Sequence, residues 1–214
     1  MKRWIEIIGL LISLSVSCLA FQVAFADAGE PYDYYVPAPD RLLENVEKYH
    51  LNLGIGKIKA GDYKEAWSEF GFMLHYFPNH PKALQLISDV SIMMGNQAEA
   101  LKYFEQATKL YPQHAATYGL WGVFLHKMNK LDQAIGKYEQ ALKLDPDSAE
   151  INYNLGLAYF SQKKYKEANQ LAQKAYQYGY PLNGLKKKLQ EASAWKAAQS
   201  DPHSTDKQTS KIQL

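Results

Sequence analysis

Columns of like residues recur along this chain at a fixed interval, and that interval limits the fold more than any other feature. Ala66, Ala100, Ala134 and Ala168 stand 34 residues apart, as do Phe70, Phe104 and Tyr138, and Pro78, Pro112 and Pro146. Gly54, Ser88, Gly122 and Gly156 form a small-residue column, and Leu53, Ile87, Trp121 and Leu155 an apolar column just before it. Met73, Ala107, Ala141 and Ala175 make a further one. A repeat of this length is one supersecondary unit that buries its apolar face by stacking on its neighbours. Within each unit the apolar residues fall at helical spacing, which predicts two helices of three to four turns. The chain reverses between them at Gly61-Asp62, Gly95-Asn96, Asn129-Lys130 and Lys163-Lys164. These are turn-forming or polar pairs. Small residues let the paired helices approach, the aromatic column fills the space between them, and each proline falls just past a helix end. Asp147-Ser148-Ala149-Glu150 reads as a capping box for the helix that follows.

The two ends of the array differ from its middle. Leu182, Leu185, Leu189 and Ala192 make one helical stripe flanked by Lys186, Lys187 and Lys188, so 182–198 is expected to be a helix capping the last hairpin, with Trp195 closing its packing. Residues 199–214 are polar and expected to be disordered. Asp40 after Pro39 marks the start of a long first helix, about 41–60. Residues 27–39, rich in Pro and Tyr, read as a linker, with a recognition segment around Tyr32, Tyr34 and Tyr35 as the alternative.

Residues 1–26 have the features of a secretory signal peptide. Lys2 and Arg3 precede an apolar run from Ile7 to Ala20, too short for a span of about 20 residues, and Ala24-Phe25-Ala26 offers a small-x-small cleavage site. Cleavage after Ala26 would leave a chain from Asp27 without its one cysteine, Cys18. Two alternatives stand: lipidation at Cys18, whose surroundings resemble a lipoprotein box loosely, and an uncleaved anchor. The expected location is therefore exported, and periplasmic.

Composition excludes several classes of function. With 24 Lys+Arg against 22 Asp+Glu the net charge is only +2, no footprint for nucleic acid. A single cysteine, Cys18, rules out multi-thiolate metal sites and disulfide frameworks. No nucleophile motif or phosphate-cradling loop is present, and His80 and His114 read as solvated residues of the loops between units. Catalytic residues, metal and cofactor are all expected to be absent.

The alanine, the aromatic four residues later, the small-residue column and the terminal proline together resemble the tetratricopeptide repeat family. The match runs over about 47–182 and is best from Ala149 to Ala175, where Tyr153-Asn154-Leu155-Gly156 and Tyr165-Lys166-Glu167-Ala168 fall. The resemblance implies an all-α, right-handed α-solenoid of four hairpins, about 47–80, 81–114, 115–148 and 149–182, plus the C-terminal capping helix. It also implies a concave groove lined by the first helix of each hairpin, which takes a protein or peptide. By that register the groove comprises Leu51, Ile55, Ile58 and Lys59; Gln85, Asp89, Ile92 and Met93; Gly119, Val123, His126 and Lys127; and Tyr153, Leu157, Phe160 and Ser161. Leu51 and Ile55 stand where the family's carboxylate-clamp subclass has Lys and Asn, so a chaperone-tail clamp is not expected. Ile58, Ile92 and Phe160 form an apolar stripe suited to a partner with apolar side chains. The function expected is a non-catalytic scaffold of envelope, pilus or secretion-system assembly. The alternative is a regulatory subunit of a cell-wall or glycan-modifying enzyme with a weak ligand site of its own.

Overall fold

In the computed structural model, which describes residues 31–196, every regular element is a helix. The expected cleavage site, Cys18 and the tail from 199 lie outside the described residues. A 3₁₀ turn, Pro39–Arg41, opens the array, followed by α1 (Leu42–Val46) and α2 (Asn52–Ala60), joined without a break by a π turn, Glu47–Leu51. The remaining helices are α3 (Tyr63–Tyr76), α4 (Pro81–Met94), α5 (Gln97–Leu110), α6 (Ala115–Lys127), α7 (Leu131–Leu144), α8 (Ala149–Ser161), α9 (Tyr165–Gln177) and α10 (Gly184–Glu191).

Each hairpin reverses through one left-handed residue. Gly61 and Gly95 have φ of 81° and 73°, and Asn129 and Lys163 reach 58° and 61° with a side chain attached. The next residue's N–H then reaches back five positions: Asp62 to the Lys57 carbonyl, Asn96 to Ser91, Lys130 to Leu125 and Lys164 to Tyr159. This 6→1 bond satisfies a carbonyl that the helix end would otherwise leave open.

Between the helices of a pair, the small column faces the aromatic one. A β-carbon on Gly54 would stand 2.5 Å from the Phe70 ring, and one on Gly122 equally close to Tyr138. The fourth hairpin has Ala172 where the aromatic belongs, and Leu185 from α10 fills the gap, its Cδ2 lying 2.6 Å from the site of a β-carbon on Gly156. Leu185 and Leu189 are fully buried, so α10 closes the end of the last hairpin.

Several expectations need correction. The capping helix spans Gly184–Glu191, shorter than 182–198, and Leu182 is 58% exposed. Pro181 precedes it, and the Leu185 and Lys186 N–H groups of its first turn are bonded to the hydroxyls of Tyr153 and Tyr176 from the last hairpin, so the helix starts at Gly184. At the other end, Asp40 and Arg41 both have positive φ, and Asp40 makes no capping bond. The N-cap of α8 is Ser148, whose Oγ accepts the Ile151 N–H at 3.5 Å. With Ile at the third helical position there is no reciprocal carboxylate, so Asp147-Ser148-Ala149-Glu150 is a cap without a box.

The largest correction concerns 31–38, which is a packed strap and no linker. It lies across the first two loops between hairpins. The Tyr32 N–H donates to the Tyr76 carbonyl at 2.8 Å, and the Tyr34 N–H to Asn79 Oδ1 at 2.9 Å. The Tyr111 hydroxyl donates to the Pro31 carbonyl. Asp33 accepts from Asn79 Nδ2 at 2.7 Å and pairs with His114 Nε2 at 2.7 Å. Tyr35 stacks on the His114 ring at 4.4 Å, and Tyr34 meets His80 at 4.6 Å.

Candidate functional site

Successive first helices, α2 with the π turn that leads into it, α4, α6 and α8, carry the expected groove residues at one register, but the structure sorts these into three kinds. Leu51, Ile55 and Ile58 are half-buried and packed against the core of the first two hairpins. Gly119 is buried, and a β-carbon there would meet Ile151 Cγ1 at 3.3 Å. Tyr153 departs most from expectation: it is 7% exposed, stacks on Tyr180 at 4.2 Å and accepts the Leu185 N–H at 3.2 Å. It belongs to the packing beneath α10. Phe160 is half-buried too, against Tyr165 at 5.3 Å, with the Lys188 ammonium 5.9 Å from its ring. The continuous stripe of Ile58, Ile92 and Phe160 is therefore broken at both ends by packing.

What remains open is the middle of the row. Ile92 and Met93, at the end of α4, are 38% and 61% exposed. Beside them Lys127 Nζ reaches Asp89 Oδ1 at 2.6 Å, tying α6 to α4. Lys59, Gln85 and Ser161 are exposed; Lys82 Nζ donates to Gln85 Oε1 at 3.2 Å, and Ser161 Oγ to the Leu157 carbonyl at 3.0 Å. Val123, His126 and Leu157 are half-buried, and burial lowers the His126 pKa from its ordinary value. A notch of about 210 Å³ opens on this row, walled by Ala116, Gly119, Val123 and Ile151, with Glu150 and Asn154 among its polar residues. Sequence reasoning missed Ala116, Ile151 and Asn154. The signal available was the run Ala115-Ala116 with Gly119, which leaves no side chain larger than a methyl at these three positions within about one turn of the groove wall.

His80 and His114 are not solvated loop residues. His80 is buried at the N-cap of α4: Nδ1 accepts the Ala83 N–H at 3.2 Å, and Nε2 lies 3.0 Å from Glu47 Oε1. Accepting at Nδ1 requires the neutral ring with its proton on Nε2. Burial is the larger influence on this histidine and lowers its pKa, against the opposing pull of Glu47. Burial would raise the Asp33 carboxyl, but the bonds from Asn79, His114 and the Tyr35 N–H outweigh it and hold that pKa below the ordinary value. These are structural pairs: they fasten the strap and the π turn to the loops. Among the described residues no three His, Cys, Asp or Glu side chains are grouped to hold a metal, and no helix is long and apolar enough to cross a membrane.

Comparison with known proteins bears on the repeat. Three family models match: "Tetratricopeptide repeat" over residues 57–120, "TPR repeat" over 122–163 and "Tetratricopeptide repeat" again over 153–178. Together they cover more than half of the 214 residues. No curated protein matches the chain. Among solved structures, one titled "Functional Characterization of Pseudomonas Aeruginosa pilF" is similar at TM-score 0.55 and 18% identity, covering 71% of each chain. YrrB, described as "a TPR protein with an unusual peptide-binding site", gives TM-score 0.48 at 22% identity, over 67% of this chain and 73% of its own. MamA gives TM-score 0.48 at 21% identity, over 65% and 80%. At such identities the likeness is one of fold. With the 34-residue columns, the reversals and the matched models in agreement, this chain belongs to the tetratricopeptide repeat family.

Proposed function

We propose that this protein is a non-catalytic exported scaffold, acting in the periplasm, which holds an apolar segment of a protein partner in its concave groove. Repeats of this family serve as surfaces for proteins and peptides, and stacked hairpins offer extended concave faces for that purpose. The single observation that carries the reading is the open middle of the row. Ile92 and Met93 stay exposed at the end of α4, and a notch of about 210 Å³ lined mainly by small and aliphatic residues of α6 and α8 opens on the same row of first helices. An apolar anchor side chain in the notch, with Asn154 and Glu150 beside the partner's backbone, uses both features. The Lys127–Asp89 pair ties α6 to α4 on the same row, one turn from Ile92 and Met93. Assembly of envelope, pilus or secretion machinery is the setting proposed, because the first 26 residues read as an export signal.

Two measurements test this. Met93→Glu places a hydrated charge on the open row, so the variant should fold as the wild type does and yet lose partner capture from envelope extract. Full capture by the folded variant would move the interface elsewhere. The intact mass of the exported protein should correspond to a chain starting at Asp27; a diacylglyceryl adduct on Cys18 or an uncut N-terminus would overturn the soluble periplasmic form.

A further inference from the structure

The C-terminal cap carries a second concave site, independent of the groove. An N-cap side chain normally serves the N–H groups at the second and third positions of a helix. In α10 these are taken by two phenol oxygens: Tyr153 Oη accepts the Leu185 N–H at 3.2 Å, and Tyr176 Oη the Lys186 N–H at 3.0 Å. Asn183 holds the N-cap position, is a residue type suited to it, and makes no side-chain capping bond. Its amide and that of Gln177 have no partner among the described residues, and both line a cup of about 450 Å³ with Tyr176, Tyr180, Trp195 and Lys186. That volume is typical of a small-molecule site, about 300–1,000 Å³.

The aromatic wall is fixed in place. Tyr180 has one face stacked on Tyr153 at 4.2 Å. Trp195 meets Tyr176 edge-on at 6.1 Å. The backbone that carries the indole is pinned on both sides: the Trp195 N–H donates to the Leu189 carbonyl at 3.1 Å, and the Lys196 peptide pairs with the Asn169 amide through both its N–H and its carbonyl. Gln173 Nε2 adds a 2.6 Å bond to the same carbonyl. Ala194 and Trp195 pack against the same core as Leu185 and Leu189, and these bonds hold the indole in the wall of the cup.

The geometry points to a sugar ring as the ligand: we propose that this cup binds a hexose unit of an oligosaccharide. A pyranose offers a face of C–H bonds for the rings and hydroxyls that donate and accept, matching both halves of each free amide. A polyproline segment also stacks on aromatic rings, but it has carbonyl acceptors and no N–H, so the amide oxygens of Asn183 and Gln177 would go unmatched. Lys186 Nζ, 5.2 Å from the Trp195 ring centroid, repels a quaternary ammonium and tolerates a neutral or acidic sugar.

The Trp195 indole N–H resonance of the full chain, assigned by its disappearance in Trp195→Phe, reports on the cup directly. Chitotetraose and cellotetraose serve as saccharide probes and decaproline as the peptide probe. At least one saccharide should shift that resonance saturably. Titration calorimetry with the same saccharide reads the variants, because Trp195→Ala lacks the reporter: Asn183→Ala should weaken the binding several-fold without altering the melting temperature, since Asn183 makes no capping bond, and Trp195→Ala should abolish it. Lys187→Ala, outside the cup, should leave it unchanged. The proposal is overturned if neither saccharide gives a saturable shift, if decaproline alone does, or if saccharide binding survives both Asn183→Ala and Trp195→Ala. Partner capture by the groove is measured separately through Met93, so the two sites fail or stand independently.

Discussion

At the scale of single residues, His80 and Lys163 show how local chemistry sets the energetics of the array. His80 caps α4 only when neutral, and burial holds its pKa below the ordinary value near 6.5. The unfolded chain therefore binds the proton more readily, and stability falls as pH drops below about 6.5. The His126 pKa is lowered as well and adds to the same slope. His80→Asn keeps a capping acceptor that does not titrate, so its melting temperature should fall less steeply than the wild type's between neutral pH and about pH 5. An unchanged slope would show that the capping ring does not control the acid response. Lys163 has φ of 61° at a reversal where two other hairpins have glycine. The left-handed conformation costs a side-chain-bearing residue about 1–2 kcal/mol, while glycine loses about 0.5–1 kcal/mol through backbone entropy. Lys163→Gly should thus stabilise the protein by about 0.5–1 kcal/mol in denaturant unfolding; a loss of stability would contradict this balance.

At the scale of elements, the hairpins were legible in the sequence because a packed pair of helices writes its contacts at fixed spacing: Gly122 against Tyr138, or Gly54 against Phe70. The cap was legible only in part. Leu182 shares the helical stripe of Leu185 and Leu189, yet it lies outside α10, because tyrosine hydroxyls bond the first turn and periodicity carries no sign of them. Tyr153 misled in the same way, since a groove position becomes a buried one when another element folds over it. The strap was illegible altogether, for its contacts join Asp33 to Asn79 and His114 across stretches with no shared pattern. These differences predict opposite outcomes for neighbouring leucines. Leu185→Ala opens a cavity over Gly156 and should cost about 2–5 kcal/mol, whereas Leu182→Ala, at an exposed position, should stay within about 0.5 kcal/mol. Equal losses in denaturant titrations would restore the longer helix.

At the scale of the whole molecule, the strap and the cap make a stack of nearest-neighbour contacts into a more cooperative unit. In a solenoid each hairpin contacts only those beside it, so an end can open without the rest. The cap limits this at one end through Leu185 and Leu189. At the other, the strap spans two loops at once: Asn79 lies between the first and second hairpins and His114 between the second and third, and Asp33 bonds to both. Breaking the strap should therefore release several units from one another, beyond the bonds removed. Asp33→Ala deletes the shared acceptor and leaves the buried Asn79 amide and the His114 ring without it, a cost of about 1–3 kcal/mol. Because the Asp33 pKa is held below the ordinary 3.8, its contribution is fully present above that value and is lost as pH falls through the lower folded pKa. The expected result is a lower melting temperature at neutral pH that converges on the wild type's in strong acid. Amide exchange should quicken in α1–α4 together, while α8–α10 keep their protection. Faster exchange confined to residues 31–38 would show instead that the strap rests on the array without coupling its hairpins.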